Sequence, residues 1–330
     1  MTKKPSPFSW TTPLSQAVMP PGESKSRRQA LVRPEGWSAP GPRPRGSNGR
    51  PHLLPGEGEE LCALSGDFHL LQLRRGHRWS IDDLLTAWLA IDWFDRHGNA
   101  ERGPVVREPH DLPPCEVDDV VDHVDLGCGI GSVLLMLAWA YPKARCVGIE
   151  AQPKSVSLAR RSIEWNGVED RVAIKEGDLR ELASRQLVEE CTRGGGFALV
   201  TGTPPYFDVR EGLVSETPQR GPCRFELRGG IEEYALAAER ILAPRGVFVV
   251  CSTMLDPSRT QRALQCAGLE ENSSLMVIPK EGRPPLFSVH VATRPSVASV
   301  RERRTLTIRD AHGKRTKEAS AVRSRLGMPW

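Results

Sequence analysis

"VVDHVDLGCGIGS", residues 120 to 132, decides the fold. An apolar run ends in Gly127, Gly129 and Gly131, and "VLLMLAWAY" follows at once as a helical stretch. Glycines at a strand-to-helix corner let backbone approach a ligand closely, because a Cβ would intrude. In an open parallel sheet such a corner lies at the carboxyl ends of the strands, where ligands bind. Two details narrow the ligand. The dinucleotide pattern G-x-G-x-x-G breaks at Ser132. Asp125 stands two residues before Gly127, where a carboxylate repels a pyrophosphate but suits a cationic amino-acid group. Asp125 and the three glycines therefore favour S-adenosylmethionine (SAM) over NAD.

Working outward, strands and helices alternate. "ARCVGIE", "RVAIKEGD", "GFALVTG" and "GVFVVCS" read as strands. Between and after them run the helical patterns "PKSVSLARRSIEWNG", "LRELASRQLVEEC", "IEEYALAAERILA" and "DPSRTQRALQCAGL". That rhythm predicts an α/β, Rossmann-like, mostly parallel sheet with helices on both faces. "SSLMVIPK" and "LFSVHVATR" have no helix between them and predict an antiparallel pair at one edge. Glu150 ends the second strand, where an acid takes ribose hydroxyls. Asp178 follows the third strand, placed to accept from an adenine amino group.

The flanks differ from this centre. Residues 1–55 are rich in Pro, Ser and basic side chains, which predicts a disordered extension. The same acid-poor composition suits an organelle transit peptide. Residues 56–119 predict a strand or hairpin around Gly76, a helix from "SIDDLLTAWLAIDWF" capped by Ser80 and Asp83, and a loop. The main domain spans 120–295. Residues 296–330 form a basic appendage with one strand ("TLTIRD") and one short helix. Net charge is +4 and the eight cysteines are scattered, without CxxC pairs. This argues against a zinc site or a disulfide scaffold and for a cytoplasmic, reducing setting. No apolar stretch reaches the roughly 18 residues of a membrane span.

"VDLGCGIG", "GIEAQ", "EGD" and "TGTPPYF", in this order and spacing, resemble a class I SAM-dependent methyltransferase with its seven-stranded sheet. More narrowly, "GHRWSID" and "CRFE" resemble segments of the bacterial-type tRNA(Val) adenine-N6 methyltransferases. That resemblance implies that Asp82 approaches the cofactor. It also implies that "TPPY" stands for the family's N-P-P-Y motif. There the first side chain and a proline carbonyl accept both protons of an exocyclic amine, and the aromatic stacks on an unpaired base. Mapped here, Thr203 and the Pro204 carbonyl are acceptors, Pro205 stiffens the corner, and Tyr206 is the stacking ring with Phe207 beside it. Thr203 also borders the cofactor, and it departs from the Asn or Asp of the family.

Beyond the corner, Arg210, Arg220, Arg224 and Arg228 supply cations for a phosphate-binding rim. The expectation is methyl transfer to an exocyclic amine, foremost adenine N6 in tRNA, with RNA as partner and neither metal nor membrane. Three alternatives stay open: glutamine N5 of a protein, a small-molecule amine, and a SAM-binding partner subunit without catalysis.

Overall fold

The computed structural model describes residues 37–97, 121–181, 184–192, 195–207, 225–295 and 301–329. The readings made of residues 1–36, of most of the 96–119 loop, and of Arg210, Arg220 and Arg224 lie outside them. Residues 45–54, part of the stretch expected to lack order, instead lie along a later helix. The Gly46 amide donates to the Trp165 carbonyl at 2.9 Å, and Arg161 donates to the carbonyls of His52 and Leu54 at 2.7 Å each. Arg45 and Arg50 pair with Glu169 and Glu164. A single turn of 3-10 helix, Pro51–Leu53, buries Leu53 completely.

Strands β1 (Glu59–Ala63) and β2 (His69–Leu73) form a separate antiparallel hairpin. Its turn is not at Gly76. The chain reverses at residues 64–68, where Phe68 N donates to Ser65 O at 2.7 Å and Gly66 takes a left-handed φ of +52°. Helix α1 (Ile81–His97) follows. At its start the Ser80 amide donates to Asp83 Oδ2 at 2.8 Å, one half of a capping box.

The main sheet is then laid down by repeated right-handed βα units. Strand β3 (Asp122–Leu126) leads to α2 (Ser132–Ala140), and β4 (Arg145–Glu150) to α3 (Pro153–Asn166). Helix α3 carries proline in its first turn and stops at Gly167, whose φ of +70° suits glycine. Strand β5 (Val172–Glu176) leads through a 3-10 turn to α4 (Ser184–Cys191), so the expected single helix over 179–191 is broken. Next come β6 (Phe197–Gly202), α5 (Ile231–Ile241), β7 (Leu242–Thr253), and α6 (Pro257–Cys266), capped by Asp256. Strands β8 (Glu270–Ile278) and β9 (Phe287–Thr293) form the antiparallel pair.

The sheet has eight strands rather than seven. Their order is β10-β8-β9-β7-β6-β3-β4-β5, where β10 (Glu302–Thr307) pairs parallel with β8. Only β9 runs against the rest. One apolar core under α1, α2 and α3 covers one face, and a second under α5 and α6 covers the other. The basic tail ends in α7 (Lys317–Arg325), capped by the Thr316 hydroxyl. It is clamped to α1: Arg304 pairs with Asp92 and Arg325 with Asp95, at 2.6 and 2.7 Å. Arg304 also lies 5.3 Å over the Trp88 ring, a cation–π contact.

Arg325 and Asp95 are largely buried, so solvent screens this pair less than an exposed one. A double-mutant cycle with Arg325→Ala and Asp95→Ala should give a coupling of about 1–3 kcal/mol in urea unfolding. Additive single effects would show that the clamp contributes nothing.

Candidate active site

The site forms where β3, β4, β5 and β6 end and α1 begins. Gly127, Gly129 and Gly131 take left-handed φ values of +60°, +57° and +86°, a region where a Cβ is unfavourable. Space is tightest at Gly127. A Cβ there would lie 2.0 Å from the Tyr234 hydroxyl, and one on Gly202 would lie 2.6 Å from the same ring. Tyr234, buried on α5, is thus packed against both the glycine corner and the end of β6.

Three carboxylates, Asp83, Glu150 and Asp178, line the resulting cavity with His77, Thr203 and Pro205. Glu150 accepts from the amides of Gly129 and Gln152 at 2.9 and 2.7 Å, which fixes its orientation. Burial pushes its pKa up, and those two amides pull the other way. Asp178 accepts from the Arg180 guanidinium at 2.7 and 2.9 Å, which holds it below the usual carboxylate range. Asp83 is 5 % exposed. Burial and then the neighbouring Asp82 push its carboxyl well up.

Asp125 is buried and does not line the cavity. Its Oδ1 accepts from Thr201 Oγ1 at 2.7 Å, directly across from it on β6. Thr201 has one proton to give, so His123 Nε2, 2.8 Å from the same oxygen, donates to it. Burial drives His123 down to about 3, leaving it neutral. Burial likewise pushes Asp125 up to about 7. The acid ahead of the glycines therefore braces β3 against β6.

Asp82 also differs from its expected place. Its Oδ2 accepts from the Tyr206 hydroxyl at 3.0 Å and its Oδ1 from the Ser80 hydroxyl. Successive helical residues point about 100° apart. With Asp82 turned to Tyr206, Asp83 is the acid that faces the cavity.

In the proline corner Pro204 is buried, while Thr203 and Pro205 are half-buried and open on the cavity. The Thr203 hydroxyl makes no side-chain hydrogen bond among the described residues. Tyr206 is held at its hydroxyl by Asp82, with Cys251 Sγ 3.2 Å away, and its ring stacks on Phe287 at 6.5 Å between centroids. It lies beside the cavity, not in its lining. Phe207 is 40 % exposed and tilts against Phe225 at 6.0 Å. Arg228, expected on an outer rim, lines the cavity close to Glu150 and Asp178. Sequence reasoning missed His77 and Tyr234 and read Asp83 as a helix cap alone. His77 stood inside the quoted "GHRWSID" segment, but nothing local to "IEEYALAAE" marks Tyr234.

Among the described residues no cluster of His, Cys, Asp or Glu is placed to hold a metal, and no helix is long and apolar enough to cross a membrane. The fold and glycine corner are those of class I SAM-dependent methyltransferases, and residues 124–190 match the family model described as a methyltransferase domain. Within that class the chain resembles the tRNA(Val) adenine-N6 group. It is 31% identical over 123 residues to the tRNA1(Val) (adenine(37)-N6)-methyltransferase of Porphyromonas gingivalis, covering 37% of this chain and 46% of that protein. It is 33% identical over 135 residues to the release factor glutamine methyltransferase of Geobacter sulfurreducens, covering 38% and 43%. The chain thus spans just under half the length of these curated relatives. A predicted O-methyltransferase from Agrobacterium tumefaciens shares the fold at TM-score 0.50 and 19% identity, over 75% of this chain and 98% of that one.

Gly127→Ala should remove most SAM affinity, because the new Cβ must displace Tyr234. Adding Tyr234→Phe, which deletes the clashing oxygen, should recover part of it, as read by calorimetric titration. Equal affinity in wild type and Gly127→Ala would refute the packing argument.

Proposed function

We propose that this chain methylates an exocyclic amine nitrogen, adenine N6 in tRNA before other acceptors, using SAM. One observation carries the reading: the glycine corner and the Thr203–Pro205 corner open on the same cavity. The cavity suits SAM by its chemistry. Asp83 faces the cavity as a partner for the α-ammonium, Glu150 keeps lone pairs for the ribose hydroxyls, and Asp178 for the adenine amino group. Three acids are a poor site for a pyrophosphate, and Gly129 leaves room, since a Cβ there would meet nothing closer than His77 at 3.6 Å.

SAM supplies a methyl carbon bonded to a positively charged sulfur. The chain's own part is to ready the nitrogen. An amine conjugated with a ring is planar and a poor nucleophile. Thr203 Oγ and the Pro204 carbonyl accept its two protons, and these bonds strengthen as the nitrogen becomes tetrahedral, which lowers the barrier. Proline contributes no competing N–H at this corner. Tyr206, clamped by Asp82 and Phe287, forms a stiff floor, and Phe207 offers an exposed ring for stacking. A hydroxyl oxygen is a weaker acceptor than an amide oxygen and also carries a donor, so Thr203 holds the amine less firmly than an asparagine would.

A planar side-chain amide fits the same pair of acceptors. The similarity to a release factor glutamine methyltransferase supports that second reading.

The purified chain, given SAM with a labelled methyl group and either total RNA or total protein, should label RNA as N6-methyladenosine. Label confined to protein would overturn the adenine reading in favour of glutamine. Thr203→Val should lower transfer about 100-fold, while SAM affinity stays within about two-fold of wild type. Thr203→Asn should retain transfer. Full activity in Thr203→Val would remove this corner from the chemistry.

A further inference from the structure

Two turns at the carboxyl edge of the sheet carry cations that form no ion pair among the described residues. The β8–β9 connection holds Lys280, Glu281 and Arg283, the β10–α7 connection holds Arg309, Asp310, Lys314 and Arg315, and α7 opens with Lys317 and Glu318. Six cations thus face three carboxylates. Two of those carboxylates are engaged by backbone: Glu281 accepts from the Ala311 amide and Asp310 from the Lys314 amide, both at 2.9 Å. None of the six cations forms an ion pair among the described residues, although Arg309 donates to the Gly313 carbonyl at 2.8 Å. Instead the cations crowd one another. Burial and the nearby Arg309 push the Arg315 guanidinium down, and burial and Arg315 do the same to Arg323. A fold that gathers like charge and occupies two of the three nearby acids with backbone amides leaves a place for an external anion.

Topology puts this charge on the same side as the proline corner. Phe287 pairs with Thr253 and with Val277, and Thr307 pairs with Ile278. The ends of β7, β8 and β10 and the start of β9 therefore share one edge with the ends of β3 and β6. The two turns are tied together there, the Glu281 amide donating to the Arg309 carbonyl at 2.8 Å. Prolines 284 and 285 stiffen the first turn. From β6 to β10 is four strand spacings, roughly 19 Å at about 4.8 Å each. Along that edge lie Phe207, Leu255 and Leu286, which are 40%, 69% and 55% exposed.

We propose that the edge from Phe207 across Leu286 to the turns at 279–286 and 309–317 is a track for RNA, whose phosphates the unpaired cations of these turns hold while one base enters the Thr203–Pro205 corner. Exposed apolar and aromatic side chains beside a cationic groove are how single-stranded nucleic acid is followed without sequence readout. A nucleoside or a single amide side chain is too small to reach both ends of the edge. The track rests on the adenine-in-RNA reading above and deepens it.

Two doubles, Lys280→Ala with Arg283→Ala and Arg309→Ala with Lys314→Ala, should each weaken binding of unmodified tRNA transcripts. The slope of log K against log salt should become shallower by about 1–2 in each double. Arg240→Ala with Arg245→Ala, at the opposite edge of the sheet, should change neither quantity. Methyl transfer separates the two claims. Each track double should raise KM for the transcripts about 10-fold and leave transfer to an adenine-containing dinucleotide, too short to span the edge, at the wild-type rate. Folding is checked in each variant by unchanged SAM affinity. Wild-type salt slope and KM in both doubles overturn the track while the function stands. A wild-type chain that methylates neither RNA overturns both, as does one in which the doubles impair transfer to protein alone.

Discussion

The phenol of Tyr234 is the part on which the site depends. It occupies space that Gly127 and Gly202 leave empty, so the end of β3 and the end of β6 are shaped to one ring on α5. In the proposed function those two strand ends carry the two halves of the chemistry, the cofactor corner and the acceptor corner. Their spacing is set by adjacent parallel strands, and their mutual position is locked by a rigid side chain with few rotamers. Thr201 on β6 adds a second tie below, through Asp125 and His123 on β3. This relay is not fully satisfied: with His123 Nε2 donating to Thr201, the buried Nδ1 of the same ring has no partner among the described residues, which is costly.

The acids then divide by environment. Backbone amides fix the direction of Glu150 while burial raises its pKa, and Arg180 holds Asp178 in its charged form. Asp83 and Asp125 are buried with little to offset the loss of water, and their carboxyls rise. For each of these two the folded pKa lies above the unfolded one. The folded state therefore holds the proton more tightly, and stability falls as pH rises from near 4 toward the raised pKa. A cation bound beside Asp83 would favour the charged form of its carboxyl.

Much of this was legible in the sequence because it is local. Alternating strand and helix patterns, glycines 127 to 131, and the proline corner announce themselves within a few residues. What escaped depends on contacts far apart in the chain. Residues 45–54 are ordered by Arg50 on Glu164 and by Arg161 on the carbonyls of His52 and Leu54, pairings no local pattern encodes. Strand β10 extends the sheet because its register with β8 fits and because Arg304 and Arg325 find acids on α1. Asp82 and Asp83 are adjacent in sequence, and only the rotation of the helix decides which one meets the cavity.

The central claim is that these acids hold a cationic cofactor, and proton linkage tests it most directly. SAM binding should be measured by calorimetry near pH 7 in buffers of different ionisation enthalpy. The account predicts that binding releases protons, that affinity rises with pH between about 6 and about 8, and that Asp83→Asn abolishes the larger part of the release. Binding without proton release, or with the same release in Asp83→Asn, would contradict it.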